Sequence, residues 1–333
     1  MSISDMSYAP SDILSKVRFL EKVPGRSPQY SNDILFVDRM KLSNDKLHCD
    51  KSAKTNKVLL YFGGDVQDLS SKMILHRDHK RYLKWSLEET ALLLSQLYPS
   101  HCIMVIRPNR MERATFSCYD NFVESNFCGA PTHLTKTAMG DKNLPSCNAL
   151  TQIYSLIHNL PESLGDIDAK DSKHSITLVG FSKGVVVLNQ VLHDLHLLGS
   201  DYVKCETGEV KLSKFTEEIE RIIWLDGGHN GGKETWITDE TVLETIATKT
   251  NIIIEVKVTP YQVKDVMRPW IGKEEKRFRT ILGTKFGLIN SNRLIRKLYF
   301  EDEERNIDNH FKILTTLGCD KYAENDDHEK EPR

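Results

Sequence analysis

Residues Gly180-Phe181-Ser182-Lys183-Gly184 stand between an apolar run, Ser175 to Val179, and a helical pattern from Gly184 to Leu198. A G-x-S-x-G pentapeptide in strand–turn–helix context predicts a nucleophile elbow. The turn is so sharp that the serine takes a strained backbone conformation. Gly180 and Gly184 make room for it, because a Cβ at either place would strike the neighbouring strand or helix. Ser182 Oγ then projects above the sheet at a helix N-terminus, where unpaired N–H groups carry a positive partial charge. The N–H of Lys183 is the expected first oxyanion donor. A cation at a helix N-terminus opposes the helix dipole, so the Lys183 side chain is expected to pair with a nearby carboxylate in preference to an anionic substrate.

The chain around this turn is a succession of short apolar runs and helical patterns. Expected strands are Ile34–Val37, Val58–Phe62, Cys102–Ile106, Ser175–Val179, Ile222–Leu225 and Ile252–Val258. Expected helices are Leu87–Leu97, Ala149–Leu160, Gly184–Leu198 and Thr241–Ala247. Several strands are continuously apolar, which marks strands covered on both faces. Repeated strand–helix units imply a mostly parallel, doubly wound α/β sheet flanked by helices, and with the elbow this predicts the α/β-hydrolase fold. In such sheets chemistry collects at the carboxyl ends of the strands.

Those strand ends supply the remaining candidates. Gly63 and Gly64 directly follow Val58–Phe62, and glycines there let backbone N–H groups face a reacting carbonyl; the loop resembles the glycine-rich oxyanion loop of esterases and lipases. Two aspartates compete for the acid. Asp226 follows Ile222–Leu225 in a glycine-rich loop, and Asp265 follows the next strand through Thr259-Pro260-Tyr261-Gln262. Strand position favours Asp265, and the glycines around Asp226 keep it in contention. His310 is the expected base, since it lies after the last sheet elements and preserves the order Ser, Asp, His; His229, in the glycine-rich loop, is the alternative. His76 and His79 lack a third ligand at a telling spacing, and His193 and His196 read as a polar helix edge, so no metal site is expected.

Composition limits what else the chain can be. With 333 residues, 39% hydrophobic and 28% charged, it can bury a large core. Its formal net charge of −2 provides no global basic field for nucleic acid. No apolar stretch is long enough for a transmembrane segment, and the opening Met1-Ser2-Ile3-Ser4-Asp5 reads as neither a secretory signal nor a clear import leader. Seven scattered cysteines without a C-x-x-C pair fit free thiols. The expected organisation is an N-terminal extension over residues 1–30, a hydrolase-like domain over 31–320 with a cap of long loops and short helices at 111–145, and a disordered tail at 321–333. The mixed run Lys273-Glu274-Glu275-Lys276-Arg277 reads as a solvated helix face.

The blocks Tyr61-Phe62-Gly63-Gly64-Asp65-Val66-Gln67, Gly180 to Val185, Trp224 to Gly231 and Thr259 to Val263 together resemble a eukaryotic serine-hydrolase-like family of unknown function, whose vertebrate members are named after a chromosome-2 open reading frame. The resemblance runs from about Val17 to Leu317. It implies an α/β-hydrolase fold and, from the vertebrate members, a mitochondrial location and a role in respiratory-chain health; the absence of a clear leader keeps a cytoplasmic location as the alternative. The expected function is a serine hydrolase of the esterase, lipase or thioesterase type, acting on a small-molecule acyl substrate without metal or organic cofactor. The competing expectation is a catalytically inactive scaffold of the same fold that binds a partner protein.

Overall fold

A computed structural model describes residues 16–38, 56–132, 148–161, 164, 174–199, 207–287 and 291–318. Ten strands are formed among the described residues: β1 Arg18–Val23, β2 Asn32–Val37, β3 Lys57–Phe62, β4 Cys102–Ile106, β5 Arg110–Glu112, β6 Phe116–Cys118, β7 Ser175–Phe181, β8 Ile219–Leu225, β9 Ile253–Val258 and β10 Leu294–Leu298. Eight of them make one sheet in the order β1-β2-β4-β3-β7-β8-β9-β10. β2 runs antiparallel to both β1 and β4, and every later pairing is parallel. This order, with its antiparallel start and its one inversion of β3 and β4, is the α/β-hydrolase fold.

The apolar runs are continuous because each strand feeds two cores. In β3, Val58, Leu60 and Phe62 point into one cluster while Leu59 and Tyr61 point into the other. The first cluster is closed by α3 Asn148–His158, α4 Val185–Leu198, α6 Glu240–Lys249 and α8 Pro269–Gly287. The second is closed by α2 Leu87–Leu97 and by the C-terminal turn of Phe311, Ile313 and Leu314. (Three short helices, α1 Ser70–Met73, α7 Pro260–Val263 and α9 Ile307–Lys312, lie in loops, and α5 Thr207–Thr216 precedes β8.) Local signals set the helix starts. Ser86 Oγ accepts the Glu89 N–H at the start of α2, half of a capping box, and Thr259 caps α7 with Pro260 in the first helical position.

The fold differs from the sequence expectations in four places. Residues 18–23, expected within an extension, form the edge strand β1. The described part of the 111–145 segment is loop, as expected, from 119 to 132, but it opens on a β-hairpin, β5–β6, and holds no helix; the hairpin turn uses Arg113 and Ala114 at φ 50° and 53°, with no glycine or asparagine to announce it. Glu274 and Glu275 are not a solvated face. Glu274 accepts the N–H groups of Glu234 and Thr235, and buried Glu275 pairs with Arg279 and Arg296. Finally, α5, α8 and β10 had no counterpart in the sequence reading. The rest of the 111–145 segment and the 321–333 tail lie outside the described residues.

Candidate active site

β7 ends at Phe181, and Ser182 takes φ +51° before the chain enters a single turn and then α4. A non-glycine residue in this region is strained unless its surroundings hold it there. The Ser182 carbonyl is held by the Gly228 N–H at 3.2 Å. The flanking glycines permit the close approach: a Cβ on Gly184 would lie 2.0 Å from the Phe62 carbonyl oxygen, and one on Gly180 2.8 Å from Leu188. Ser182 is 8% exposed.

Asp226 leaves β8 at φ +46°, its N–H still bonded to Lys257 O at 2.7 Å. Its carboxylate is fully buried and accepts three hydrogen bonds, from the Thr259 N–H at 2.7 Å, the Thr259 hydroxyl at 2.6 Å and His310 Nδ1 at 2.7 Å. A buried charge of this kind is tolerable only when so satisfied. Because an ionised carboxylate can only accept, the His310 Nδ1 carries the proton and Nε2 is left as an acceptor. His310 sits on α9, whose start is capped by Asn306. Its ring lies between Phe181, 4.6 Å away, and Tyr261, stacked at 4.7 Å. The base candidate is thereby packed against the residue that precedes Ser182. Ser182 Oγ and His310 are not hydrogen-bonded to each other among the described residues.

The other candidates separate. Asp265 bonds Arg268 Nε at 2.8 Å and the Met267 N–H at 2.9 Å, with Arg305 at 3.7 Å. Burial pushes its carboxyl up, and the Arg268 and Met267 hydrogen bonds outweigh this and hold it below the ordinary value. The acid favoured by strand position is therefore engaged elsewhere, and Thr259, directly after β9, contacts Asp226 instead. His229 is buried, and burial drops its pKa to about 4. Its Nδ1 accepts the Gly231 N–H at 2.9 Å and its Nε2 faces the Glu234 carbonyl at 3.3 Å. Both ring nitrogens thus serve the glycine-rich loop.

Gly64 adjoins the serine, since a Cβ on it would lie 2.6 Å from Ser182 Cβ and 3.2 Å from Oγ. Its N–H, however, already donates to Gln67 Oε1 at 3.1 Å, and Gln67 is fixed in turn by Tyr61, Trp85 O and Thr90. The Gly63 carbonyl accepts the Tyr119 hydroxyl at 2.9 Å. Lys183 is fully buried and pairs with a carboxylate, Asp65, at 3.2 Å. It also donates to Cys128 O at 2.7 Å, so one side chain ties the serine turn to both loops above it. Asp65 further accepts the Ser117 N–H at 2.9 Å. Sequence reading missed Thr259 and Asp65 as partners, since nothing local signals what the Thr259 hydroxyl or the Asp65 carboxylate holds.

Among the described residues no group of three or more His, Cys, Asp or Glu side chains is arranged to hold a metal ion. Two cavities, of about 400 and 380 Å³, lie elsewhere. One is lined by Arg26, Tyr30, Arg110 and Asp120, the other by residues at strand starts such as Lys57, Ser175 and Arg221. Neither is lined by Ser182, Asp226 or His310, and this site is marked by its hydrogen-bonded geometry.

The C2orf69 sequence profile matches residues 19–172 and 157–288. The chain belongs to the C2orf69 family. The Homo sapiens relative, named mitochondrial protein C2orf69, is 34% identical over 88% of this chain and 84% of its own length. The Danio rerio C2orf69 homolog is 34% identical over 94% of this chain and 88% of its own. Among solved structures, the siderophore hydrolase EstA from Aspergillus nidulans is 13% identical, covers 96% of this chain and 98% of its own, and superposes with a TM-score of 0.45.

Proposed function

We propose that the chain is a serine hydrolase acting on an ester, thioester or amide, with Ser182 as nucleophile, His310 as general base and Asp226 as the acid of the triad. The observation that carries this reading is the 2.7 Å contact between His310 Nδ1 and the buried Asp226 carboxylate, on a histidine packed against Phe181, the residue before a serine held at φ +51°. That contact fixes the imidazole tautomer in which Nε2 can take a proton.

In the acylation step Ser182 Oγ attacks the carbonyl carbon while its proton passes to His310 Nε2. The charge on the resulting imidazolium is offset by Asp226, which stays ionised. The oxyanion is held by the Lys183 N–H; with the Gly64 N–H held by Gln67, a neighbouring N–H of the Gly63–Asp65 loop serves as the second donor. Collapse breaks the bond to the leaving group, which takes the proton from His310. Water, deprotonated by His310, then releases the acid and restores Ser182. The Ser182–His310 hydrogen bond forms as substrate closes the site, as is common for hydrolytic sites without ligand. The names of the relatives point to mitochondria as the compartment.

The test is turnover of p-nitrophenyl acyl esters and acyl thioesters by the full chain, beside Ser182→Ala and His310→Ala. The reading expects hydrolysis that both variants lose by at least about 10³-fold. Wild-type turnover indistinguishable from Ser182→Ala would leave the inactive scaffold as the better account.

A further inference from the structure

Most large apolar side chains among the described residues are buried, but five on loops at the carboxyl ends of the strands are not. Leu75 is 81% exposed, Met267 80%, Val266 78%, Phe127 63% and Ile74 58%. They belong to three loops, and each loop is tied to the site by a neighbouring residue. Phe127 precedes Cys128, whose carbonyl holds Lys183. Val266 and Met267 follow α7, whose Tyr261 stacks on His310. Ile74 and Leu75 lead into the 3-10 turn His79–Trp85, whose Tyr82 lies 5.2 Å from Phe311, the residue after His310. The apolar tips therefore lie on loops that leave β3, β4 and β9 at the carboxyl-end face of the sheet, the face to which Ser182 belongs. Scattered exposed apolar residues need no explanation, whereas a group on one functional face does.

Charge around the rim is divided: the loop after β10 carries exposed Glu301, Asp302, Glu303 and Glu304, and the loop after β3 is basic. Between residues 72 and 84 there are five basic side chains, Lys72, Arg77, Lys80, Arg81 and Lys84, against one acid, Asp78. All five are exposed, and only Arg77 is matched by that acid. On the other side, Lys264 and Arg268 are neutralised by Glu301 and Asp265. A chain of net charge −2 thus keeps a basic collar directly behind its most exposed leucine. Apolar tips backed by lysine and arginine match the apolar layer and headgroups of an anionic bilayer. No helix among the described residues is long and apolar enough to cross a membrane, so any such attachment is peripheral.

We propose that this loop face docks on an anionic lipid bilayer, with Ile74, Leu75, Val266 and Met267 entering the apolar layer and Lys72, Lys80, Arg81 and Lys84 meeting the headgroups. Docking in this orientation turns Ser182 toward the membrane and makes a lipid-borne acyl ester the substrate class. That last step rests on the hydrolase reading; the docking does not.

Flotation of the full chain with vesicles separates the two. The probes are pure phosphatidylcholine vesicles and vesicles carrying about 30% phosphatidylserine. The bound fraction should rise at least about tenfold on the anionic vesicles and fall as salt approaches about 0.5 M. The double variants Leu75→Asp/Met267→Asp and Lys80→Glu/Arg81→Glu should each reduce binding at least about tenfold, with melting temperatures near wild type. Ile295→Asp, at an exposed apolar residue on the far edge strand, should bind as wild type does. Equal binding to both vesicles, no binding, or equal loss in Ile295→Asp would overturn the proposal. So would concentration-dependent dimerisation abolished by Leu75→Asp without lipid binding, which would assign the rim to a second copy. Because flotation needs no turnover, vesicle binding by a Ser182→Ala chain would support docking even if the hydrolase reading failed.

Discussion

At the scale of single residues, the site depends on which aspartate meets His310. Asp226→Asn keeps the shape and leaves the imidazole without its orienting charge, so turnover should fall by about 10⁴, as in serine proteases that lose the equivalent acid. Asp265→Asn breaks only outlying ion pairs with Arg268 and Arg305 and should leave turnover within about threefold. Steady-state kinetics on the two variants distinguishes them, and equal effects would place the acid elsewhere. Thr259→Val removes the hydroxyl bonded to Asp226 but keeps the N–H. A hydrogen bond to a charged group contributes about 1.5–3 kcal/mol, so turnover should drop about tenfold to a hundredfold while substrate affinity changes little. The glycines make a second contrast. Neither Gly64 nor Gly184 needs a positive φ, so alanine at either position is opposed by neighbours alone. At Gly64 the neighbour is Ser182, whose Cβ would lie 2.6 Å from the added carbon, so Gly64→Ala should displace the serine and cut turnover per folded molecule beyond any loss of melting temperature. At Gly184 it is the Phe62 carbonyl, 2.0 Å from the added carbon, and Gly184→Ala should destabilise the whole fold by more than about 2 kcal/mol. Thermal melting beside turnover reads both.

At the scale of elements, Asp194 on α4 accepts the Leu150 N–H at 3.0 Å, in the first turn of α3, and so joins the two helices. Burial pushes its carboxyl up to about 7. With the folded value above the unfolded one, the folded chain keeps a proton that the unfolded chain has released between about pH 4 and 7. The resulting stability is fully present below that window and is lost as pH rises through it. Asp194→Asn cannot ionise, so melting temperatures at pH 5 and pH 8 should differ less in the variant than in wild type, and an equal difference would contradict this. Buried Arg293 gives the converse test. Its guanidinium donates to Ala247 O at 2.9 Å, Ile252 O at 3.0 Å and Ile246 O at 3.3 Å, closing the end of α6. Arg293→Met would leave those carbonyls unpaired, and melting should show a loss of about 2–4 kcal/mol.

The same scale explains what was legible in the sequence. Central strands such as β3 and β4 were readable because burial on both faces demands an unbroken apolar run. The edge strands β1 and β10 were not: Arg18-Phe19-Leu20-Glu21-Lys22-Val23 and Leu294-Ile295-Arg296-Lys297-Leu298 carry the charges that blunt exposed edges. The serine turn was legible because its glycines answer to contacts within one strand–turn–helix unit. The choice between Asp226 and Asp265 was not, because it depends on the distance from two strand ends to a histidine on a separate C-terminal helix. The Lys183–Asp65 pair was foreseen in kind, as a carboxylate partner, but its identity depends on a loop more than a hundred residues upstream in the chain.

At the scale of the molecule, the proposed hydrolase site gathers the ends of β3, β7, β8 and β9 of a two-faced sheet around a histidine on α9. The measurement that tests this most directly is reaction of the folded full chain with a fluorophosphonate, in which Ser182 Oγ displaces fluoride, followed by intact-mass and peptide mapping. One adduct per chain on Ser182 is expected, absent in Ser182→Ala and slowed by at least about a hundredfold in Asp226→Asn. A folded wild-type chain that forms no adduct at Ser182, or a Ser182→Ala chain that labels equally well, would contradict the account.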